Sequence, residues 1–209
     1  MVSVGFMGRM VGPLPGSAKR AGRNSELYSR PVTAFVPILS PRVLLRRLDP
    51  SEAPLVIGYR RDPRVARFQG WGVVDPGEIE RDLTAMVGRD PADAPGPWFQ
   101  LAIVERASDA VAGDIGVRVL TEAPDTAEIG YTVAPAFQRL GYATDAVRLM
   151  VSWLLGPREL ARVIATIDAR NTPSRVVVER AGFTRIACVE TKAGGAVTSL
   201  LTYETRLPA

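Results

Sequence analysis

Apolar and polar positions become periodic along the chain only after residue 37. From there the pattern predicts a strand, two helices, three strands, a helix, a strand, a helix and two closing strands. The predicted strands cover residues 43–48, 98–105, 111–120, 127–133, 162–167, 184–191 and 196–206. The predicted helices cover residues 49–59 (starting at 49 or 51), 75–88, 142–155 and 173–181, with a loop at 63–71.

The predicted helix at 142–155 shows the clearest amphipathic pattern. Its apolar residues recur at the i, i+3 and i+4 spacing of a helix that packs on a sheet: Ala146, Val147, Met150, Val151, Leu154 and Leu155. A right-handed crossover through this helix would make the strands at 127–133 and 162–167 parallel. The sequence therefore predicts helices packed on a mixed sheet.

Residues 1–37 differ from the rest of the chain. They contain many glycines and prolines and show neither helical nor strand periodicity, so we expect a flexible extension before a domain at 38–209. Arg9 interrupts the only apolar stretch, which argues against a secretory signal. An organellar presequence and an over-long start both remain open, because no acid precedes Glu26.

Composition excludes several kinds of chemistry. The 209 residues contain no histidine, which removes histidine acid–base catalysis, Ser-His-Asp sites and histidine metal sites, and we expect no metal. Cys188 is the only cysteine, so no internal disulfide can form and a reducing, cytoplasmic compartment fits. Its apolar strand predicts a core position. No apolar run approaches the roughly 20 residues of a membrane span.

The net charge of +4 is concentrated in the extension. Residues 1–42 hold six basic groups and one acid, whereas residues 43–209 hold 20 basic and 21 acidic groups. A nearly neutral domain argues against a nucleic-acid-binding face. A contact of the basic tail with RNA or a ribosome stays open.

The segment from Gln138 to Ala143 carries the most specific chemical signal. It joins a strand-like run to a helix-like run, and a helix start presents unpaired N–H groups and a partial positive charge to an anion. Small residues at Gly141 and Ala143 let phosphate oxygens approach those amides. A turn glycine at 141 is an equally simple interpretation of this loop alone.

The order of elements and the Q-x-x-G-x-A segment resemble the GCN5-related N-acetyltransferase (GNAT) superfamily over about residues 41–206. The resemblance is strongest to the branch of ribosomal-protein N-terminal alanine acetyltransferases (RimJ/RimL-like). The stretches that carry it are PRVLLRRL at 41–48, EIGY at 128–131, the Gly141 loop, NTPS at 171–174 and AGF at 181–183. It implies an α/β fold with a mixed, mostly antiparallel sheet of about seven strands splayed between strands 4 and 5, and about four helices.

The resemblance also implies acetyl-CoA as co-substrate. The pyrophosphate would be held by the loop and the helix start, the coenzyme arm would pair with the strand before the loop, and an asparagine would contact that arm. A backbone N–H of the same strand would polarise the thioester carbonyl. The implied cofactor residues are Thr132, Val133, Gln138, Arg139, Gly141, Tyr142, Ala143, Thr144 and Asn171. For Asn171, a turn position before a helix is the competing interpretation.

Two carried-over residues would handle protons. Glu128 matches the base that, in the family, takes a proton from the amine through water, although a solvated or ion-paired carboxylate is nearly as good an interpretation. Many members have a tyrosine seven positions after the asparagine, but this chain has Val178. Ser174 matches the serine of the RimJ/RimL-like branch, and it could equally be an ordinary first-turn serine. Tyr131 is the alternative acid.

The expected function is transfer of an acetyl group from acetyl-CoA to a primary amine, either a protein N-terminus or a small amine. Trp71 and Tyr131 are the candidate acceptor contacts, with packing roles as the alternative. An acyl-CoA-binding sensor or interaction module without turnover is the competing function, supported by Val178. We expect a monomer or homodimer, with no membrane partner and no nucleic-acid partner for the domain.

Overall fold

One β-sheet runs through the chain, and its long strands follow the apolar runs. The computed structural model describes residues 3–4, 35–69, 74–92, 95–193 and 196–207. The strands are β1 (Ser3–Val4), β2 (Ile38–Leu39), β3 (Val43–Arg47), β4 (Phe99–Glu105), β5 (Ala110–Val119), β6 (Thr126–Val133), β7 (Arg162–Asp168), β8 (Thr184–Ala193) and β9 (Ala196–Thr205). The helices are α1 (Ala53–Arg60), α2 (Pro63–Ala66), α3 (Pro76–Ala85), α4 (Tyr142–Leu155) and α5 (Thr172–Arg180), with short 3₁₀ turns at Pro50–Glu52 and Pro135–Phe137.

The strands lie in the order β2-β3-β4-β5-β6-β7-β9-β8, and β1 pairs with β6. All neighbouring strands are antiparallel except β6 and β7, which are parallel as the α4 crossover predicts. These two strands pair only from Thr126 opposite Arg162 to Glu128 opposite Ile164. Beyond Glu128 they separate, which confirms the predicted splay between the fourth and fifth long strands.

Two apolar clusters hold helices on opposite faces of the sheet. The alternating residues Ile115, Val117, Ile129 and Tyr131 pack with α4 on one face. On the other face, Ala102 and Val104 of β4 pack with the buried residues of α1 and α3. Because side chains alternate along a strand, Glu128 and Thr132 of β6 lie on the α1–α3 face. The candidate site residues of β6 therefore lie on both faces of the sheet.

The structure adds elements that the apolar pattern missed. The loop expected at 63–71 begins with α2, where the Asp62 side chain accepts a hydrogen bond from the Arg64 backbone N–H and Pro63 occupies the first helical turn. This four-residue helix is too short for periodicity to show. The two-residue strands β1 and β2 are likewise below the length at which alternation is visible.

Two sequence-based expectations about the exposure of single residues differ from the structure. Cys188 was expected in the core and is exposed, because β8 is the outermost strand and lacks a neighbour on one side. Phe35 lies within the predicted extension but is buried against Trp153, with ring centroids 5.4 Å apart. Residues 5–34 lie outside the described part of the chain, so flexibility of the extension stays a prediction. Within the described residues, no helix is both long and apolar enough to cross a membrane.

Candidate active site

The loop before α4 has the backbone shape of an anion site. Arg139 and Gly141 both adopt left-handed conformations, with φ of 65° and 87°, and Gly141 is the N-cap of α4 without a side chain to cap it. Alternating left-handed residues turn successive N–H groups inward, and the first N–H groups of a helix have no partner within the helix. This arrangement can hold a phosphate or pyrophosphate group.

A groove of about 460 Å³ opens beside this helix start, between α4 and α5. Of the predicted cofactor residues, all but Thr132 and Asn171 line it: Val133, Gln138, Arg139, Gly141, Tyr142, Ala143 and Thr144. Residues of α5 form the opposite wall, among them Pro173 and Val177, and Arg180 adds a positive charge. The helix start and Arg180 suit an anionic group of a ligand, and the apolar residues of α5 suit an apolar part of it.

Arg42, immediately before β3, closes over the loop. Its guanidinium donates to the Leu140 carbonyl oxygen at 2.9 Å and to Oδ2 of Asp145 at 3.0 and 2.7 Å. It also lies 5.5 Å from the centroid of the Tyr142 ring. A Cβ at Gly141 would come within 2.8 Å of Nη2 of Arg42, which is the flexible end of an exposed side chain and can move aside, so the left-handed backbone is what favours glycine here.

The edge of β6 that is no longer paired with β7 beyond Glu128 lies beside the groove. Val133 lines the groove, whereas Thr132 points to the other face and accepts a hydrogen bond from Nε2 of Gln69 at 3.1 Å. In this structure β1 pairs along the same edge, with Ser3 opposite Thr132 and Val4 opposite Tyr131. A coenzyme arm that paired with β6 here would have to replace β1.

Asn171, Ser174 and Tyr131 meet at the start of α5. The Asn171 side chain caps this helix by accepting from the Ser174 N–H at 3.3 Å, and Tyr131 donates its hydroxyl proton to the Ser174 carbonyl oxygen at 3.0 Å. All three residues are buried, and burial raises the pKa of Tyr131 well above its usual value. Tyr131 thus lies across β6 from Glu128, close to Ser174. Val178, the position at which the resemblance led us to look for a tyrosine, is fully buried.

Glu128 lies at the point where β6 and β7 separate. It is only 6% exposed, and Arg118 of β5 donates to its Oε2 from Nε at 2.9 Å and from Nη2 at 2.6 Å. The carboxylate is therefore fixed in orientation, with one oxygen bonded to arginine. Its other oxygen is the one that could accept a proton through water.

A second buried carboxylate, Asp114 of β5, lies two rungs away on the same face. It accepts from the Tyr59 hydroxyl at 2.6 Å and from Nη2 of Arg60 at 2.6 Å, both from α1. Burial and the Asp114 charge raise the pKa of Tyr59 well above its usual value, so this hydroxyl keeps its proton. Trp71, the predicted acceptor contact, lies outside the described residues.

Comparison with known sequences shows the family of this chain. Residues 42–184 match a sequence family described as an acetyltransferase (GNAT) domain. That match spans more than half of the chain. The protein belongs to the GNAT acetyltransferase family. The expected family, and with it acetyltransferase activity, is thereby confirmed, and the fold agrees with the one that the resemblance implied.

Individual relatives agree with this assignment. An uncharacterized N-acetyltransferase, YnaD of Bacillus subtilis, is 28% identical over 148 residues, which is 71% of this chain and 82% of YnaD. A GNAT-family acetyltransferase structure from Bacillus anthracis superposes with a TM-score of 0.71 at 22% identity, covering 82% of this chain and 98% of that one. The ribosomal L7/L12 alpha-N-protein acetyltransferase RimL, solved with coenzyme A, superposes with a TM-score of 0.69 at 18% identity, covering 82% and 98%.

Several side chains of this GNAT site were missed by sequence reasoning. Arg42 was noted only as part of a matching stretch, and Arg118, Asp114 and Gln69 were not singled out. Each meets its partner through strand pairing or through a helix that packs on the sheet, at a sequence separation that no local pattern reports. Alternation within β5, which places Asp114 and Arg118 on one face, was the only signal available.

Proposed function

We propose that the protein transfers the acetyl group of acetyl-CoA to a primary amine, on a protein N-terminus or a small molecule, by direct attack of the amine on the thioester. The observation that carries the proposal is the juxtaposition of an anion-binding helix start, a groove and a splayed strand edge that ends at a buried glutamate. Each feature matches one part of the reaction, namely the diphosphate, the arm and the attacking amine.

The donor is bound mainly through main-chain groups. The N–H groups at the start of α4 would hold the pyrophosphate, and the Arg139 and Arg180 side chains lie close enough to add charged contacts. Arg42 fixes the loop that presents those N–H groups. The free edge of β6 near Val133 would bind the arm and polarise the thioester carbonyl once β1 has left.

The reaction needs a base and an acid, and the residues that we assign to these roles lie on opposite faces of the sheet at β6. One proton of the ammonium passes through water to Glu128, the neutral amine nitrogen forms a bond to the acetyl carbon, and the carbon–sulfur bond breaks. The departing thiolate takes the hydroxyl proton of Ser174, and the second proton that the nitrogen loses as the amide forms passes through water to the Ser174 oxygen, which gives an N-acetyl amine and free coenzyme A. Because amines with a pKa of about 8 to 10.4 are mostly protonated at neutral pH, a base is needed before attack.

The two candidate acids can be told apart by removing one hydroxyl at a time. The Tyr131 hydroxyl already donates its proton to the Ser174 carbonyl oxygen, which leaves that proton poorly placed to reach a thiolate. We therefore assign the acid role to Ser174, and we expect Ser174→Ala to lower kcat while Tyr131→Phe leaves it nearly unchanged. The reverse result would transfer the role to Tyr131.

The decisive experiment joins binding to turnover. Calorimetry should show that acetyl-CoA and coenzyme A bind, and a thiol assay with a panel of peptides and amines should show coenzyme A release. Mass spectrometry of the acceptor should then show the 42-Da gain of an acetyl group on nitrogen, which follows from the bond changes above. Absence of binding to either coenzyme form would contradict the proposal.

A binding module without turnover is the competing possibility, and Val178 is the observation that favours it. The same experiment separates the two functions. Tight acetyl-CoA binding without coenzyme A release for any amine, under conditions where Glu128→Gln binds equally well, would favour the module.

A further inference from the structure

The sheet face opposite α4 carries polar side chains next to Glu128. We call the part of this face formed by residues 114, 116 and 118 of β5 and residues 128, 130 and 132 of β6 the polar floor. Successive rungs of β5 and β6 place Asp114 opposite Thr132, Gly116 opposite Gly130, and Arg118 opposite Glu128. The middle rung therefore has two residues without side chains between two polar rungs. The glutamate that we assign as base is part of this floor.

The side chains of Gln100 in β4 and of Trp98, the residue before β4, lie against Gly116 in the middle rung. A Cβ at Gly116 would lie 2.7 Å from Nε2 of Gln100 and 3.0 Å from Cε3 of Trp98, so the glycine makes room for both side chains. The Trp98 ring in turn lies 5.1 Å from the Arg118 guanidinium. Gln100 and Trp98 thus border the polar floor that contains Glu128.

Uncharged hydrogen-bonding atoms on this face are left without a partner. Within the part of the chain that the structure describes, Oε1 of Gln100, Oε1 of Gln69 and Nε1 of Trp98 are buried and make no hydrogen bond. Gln69 is held at the floor by its own Nε2, which donates to Thr132. Because a buried unsatisfied polar atom costs about 1–3 kcal/mol, three of them around one floor indicate that a ligand supplies the missing bonds.

The two carboxylates that the strands place on this face are already paired. The carboxylates that β5 and β6 place here are Asp114 and Glu128, and each is bonded to an arginine, at 2.6 Å from Arg60 and from Arg118 respectively. A second ammonium group on an acceptor would therefore find paired carboxylates rather than a free one. Neutral amide oxygens, by contrast, are available to accept N–H groups.

We propose that this face binds the acceptor through Gln69 and Gln100, and that it selects an amine with uncharged N–H groups around it, as at a peptide N-terminus, over a polycationic amine. This inference rests on the proposed function, since it places the acceptor beside Glu128. The peptide N–H groups would donate to the two amide oxygens, and the Trp98 indole N–H would donate to a peptide carbonyl. A site with matched hydrogen-bonding groups discriminates strongly against ligands that leave those groups unpaired.

The α-amine of a peptide also suits the chemistry. Its pKa is about 8, whereas that of an alkyl amine is near 10.4, so a larger fraction is neutral and nucleophilic at pH 7.5. A polyamine would bring extra positive charge to a face whose two strand carboxylates are already paired with Arg60 and Arg118. The lower pKa of the α-amine and the lack of extra positive charge both favour the peptide as acceptor.

The test compares acceptors on the full-length protein. The probes are an uncharged pentapeptide with a free N-terminus, the same peptide with a blocked N-terminus, and spermidine, each assayed for coenzyme A release with acetyl-CoA. We expect kcat/KM for the free peptide to exceed that for spermidine, with no turnover of the blocked peptide. Preference for spermidine would overturn the inference while leaving acetyl transfer itself intact.

Charge substitutions test whether the two glutamines set this preference. Gln69→Glu and Gln100→Glu keep the side-chain shape but add a carboxylate, which strengthens a hydrogen bond to an ammonium by about 1 kcal/mol, or about fivefold. The peptide-to-spermidine ratio of kcat/KM should therefore fall about fivefold for each variant. Ser152→Glu, which adds the same charge to an exposed position of α4 on the opposite layer, should leave the ratio unchanged.

Binding measurements keep the inference separate from turnover. Should no amine release coenzyme A, acetyl transfer would fail as the function, and calorimetry of the peptide and of spermidine with the coenzyme A complex would still decide which ligand the face prefers. Tighter peptide binding that weakens in Gln100→Leu supports the inference. An unchanged ratio in both glutamate variants, together with unchanged peptide affinity in Gln100→Leu, would contradict it.

Discussion

Arg42 and Asp145, 103 positions apart in the chain, form a two-bond ion pair that closes over the loop at Gly141. Arg42 is 53% exposed and the Asp145 side chain 21% exposed, so the pair is accessible to water and screened by salt. The main effect of the pair is to position the loop, because Arg42 also donates to the Leu140 carbonyl oxygen. A residue immediately before β3 thereby holds the loop that would bind the coenzyme phosphates.

We expect Arg42→Gln to raise the KM for acetyl-CoA and to leave kcat unchanged, since the loop loses its support but the reacting groups stay in place. Exposed pairs contribute about 0.2–1 kcal/mol, which corresponds to a rise of about 1.5- to fivefold. Steady-state kinetics measures the change. The matched control is Arg206→Gln, which removes an exposed arginine paired with Glu204 far from the loop and should have no effect on KM.

Gly141→Val should raise the KM for acetyl-CoA more than tenfold. A side chain at this position meets both a left-handed backbone, which costs about 1–3 kcal/mol for other residues, and the guanidinium of Arg42. The double variant Arg42→Ala/Gly141→Ala separates these causes in calorimetric titrations. Recovery of coenzyme affinity relative to Gly141→Ala alone would show that the clash matters, and no recovery would assign the effect to the backbone and the phosphate approach.

Glu128→Gln should lower kcat about 10²–10⁴-fold, the usual contribution of a general base, while the Kd for acetyl-CoA stays the same. The deficit should shrink as pH rises toward the pKa of the amine, because a larger fraction of the acceptor then loses its proton to water. A pH series of kcat/KM for wild type and variant measures this. Normal turnover of the variant at neutral pH would remove Glu128 from the mechanism.

Coenzyme binding along β6 should compete with β1, because β1 pairs with Tyr131 and Thr132 and the coenzyme arm would use the same edge at Thr132 and Val133. Proline at both Ser3 and Val4 removes two backbone N–H donors from β1, so the Kd for acetyl-CoA should decrease in the double variant. Calorimetry measures the change. A higher Kd in that variant would show that β1 supports the site instead of blocking it.

Asp114→Ala should lower the free energy of unfolding by about 3–5 kcal/mol, because it leaves the buried Arg60 guanidinium without its carboxylate. Urea denaturation followed by circular dichroism measures the loss. Arg64→Ala breaks an exposed ion pair with Asp62, where the arginine is 68% exposed, and should cost only about 0–1 kcal/mol. Equal losses in the two variants would contradict a structural role for the Asp114 cluster.

The elements that the sequence predicted well share one physical property, which is that their signals are local. The stripe on α4, the alternation in β5 and β6, and proline at the start of α3 each depend on residues within a few positions of one another. The element order and the Gly141 segment then led to the GNAT fold and the groove. Helix α2 and strands β1 and β2 were missed because two to four residues are too few to show a period.

The sequence by itself determined the order of the longer elements, the parallel crossover through α4 and the glycine loop at the start of that helix, since backbone periodicity and steric limits act along neighbouring residues. Only the tertiary structure decided that Arg42 covers this loop, that Arg118 orients Glu128, and that Asp114 is neutralised by Arg60. Those pairs depend on strand register and on helix packing across the sheet. Both arise from burial of apolar surface contributed by the whole chain, so no local pattern encodes them.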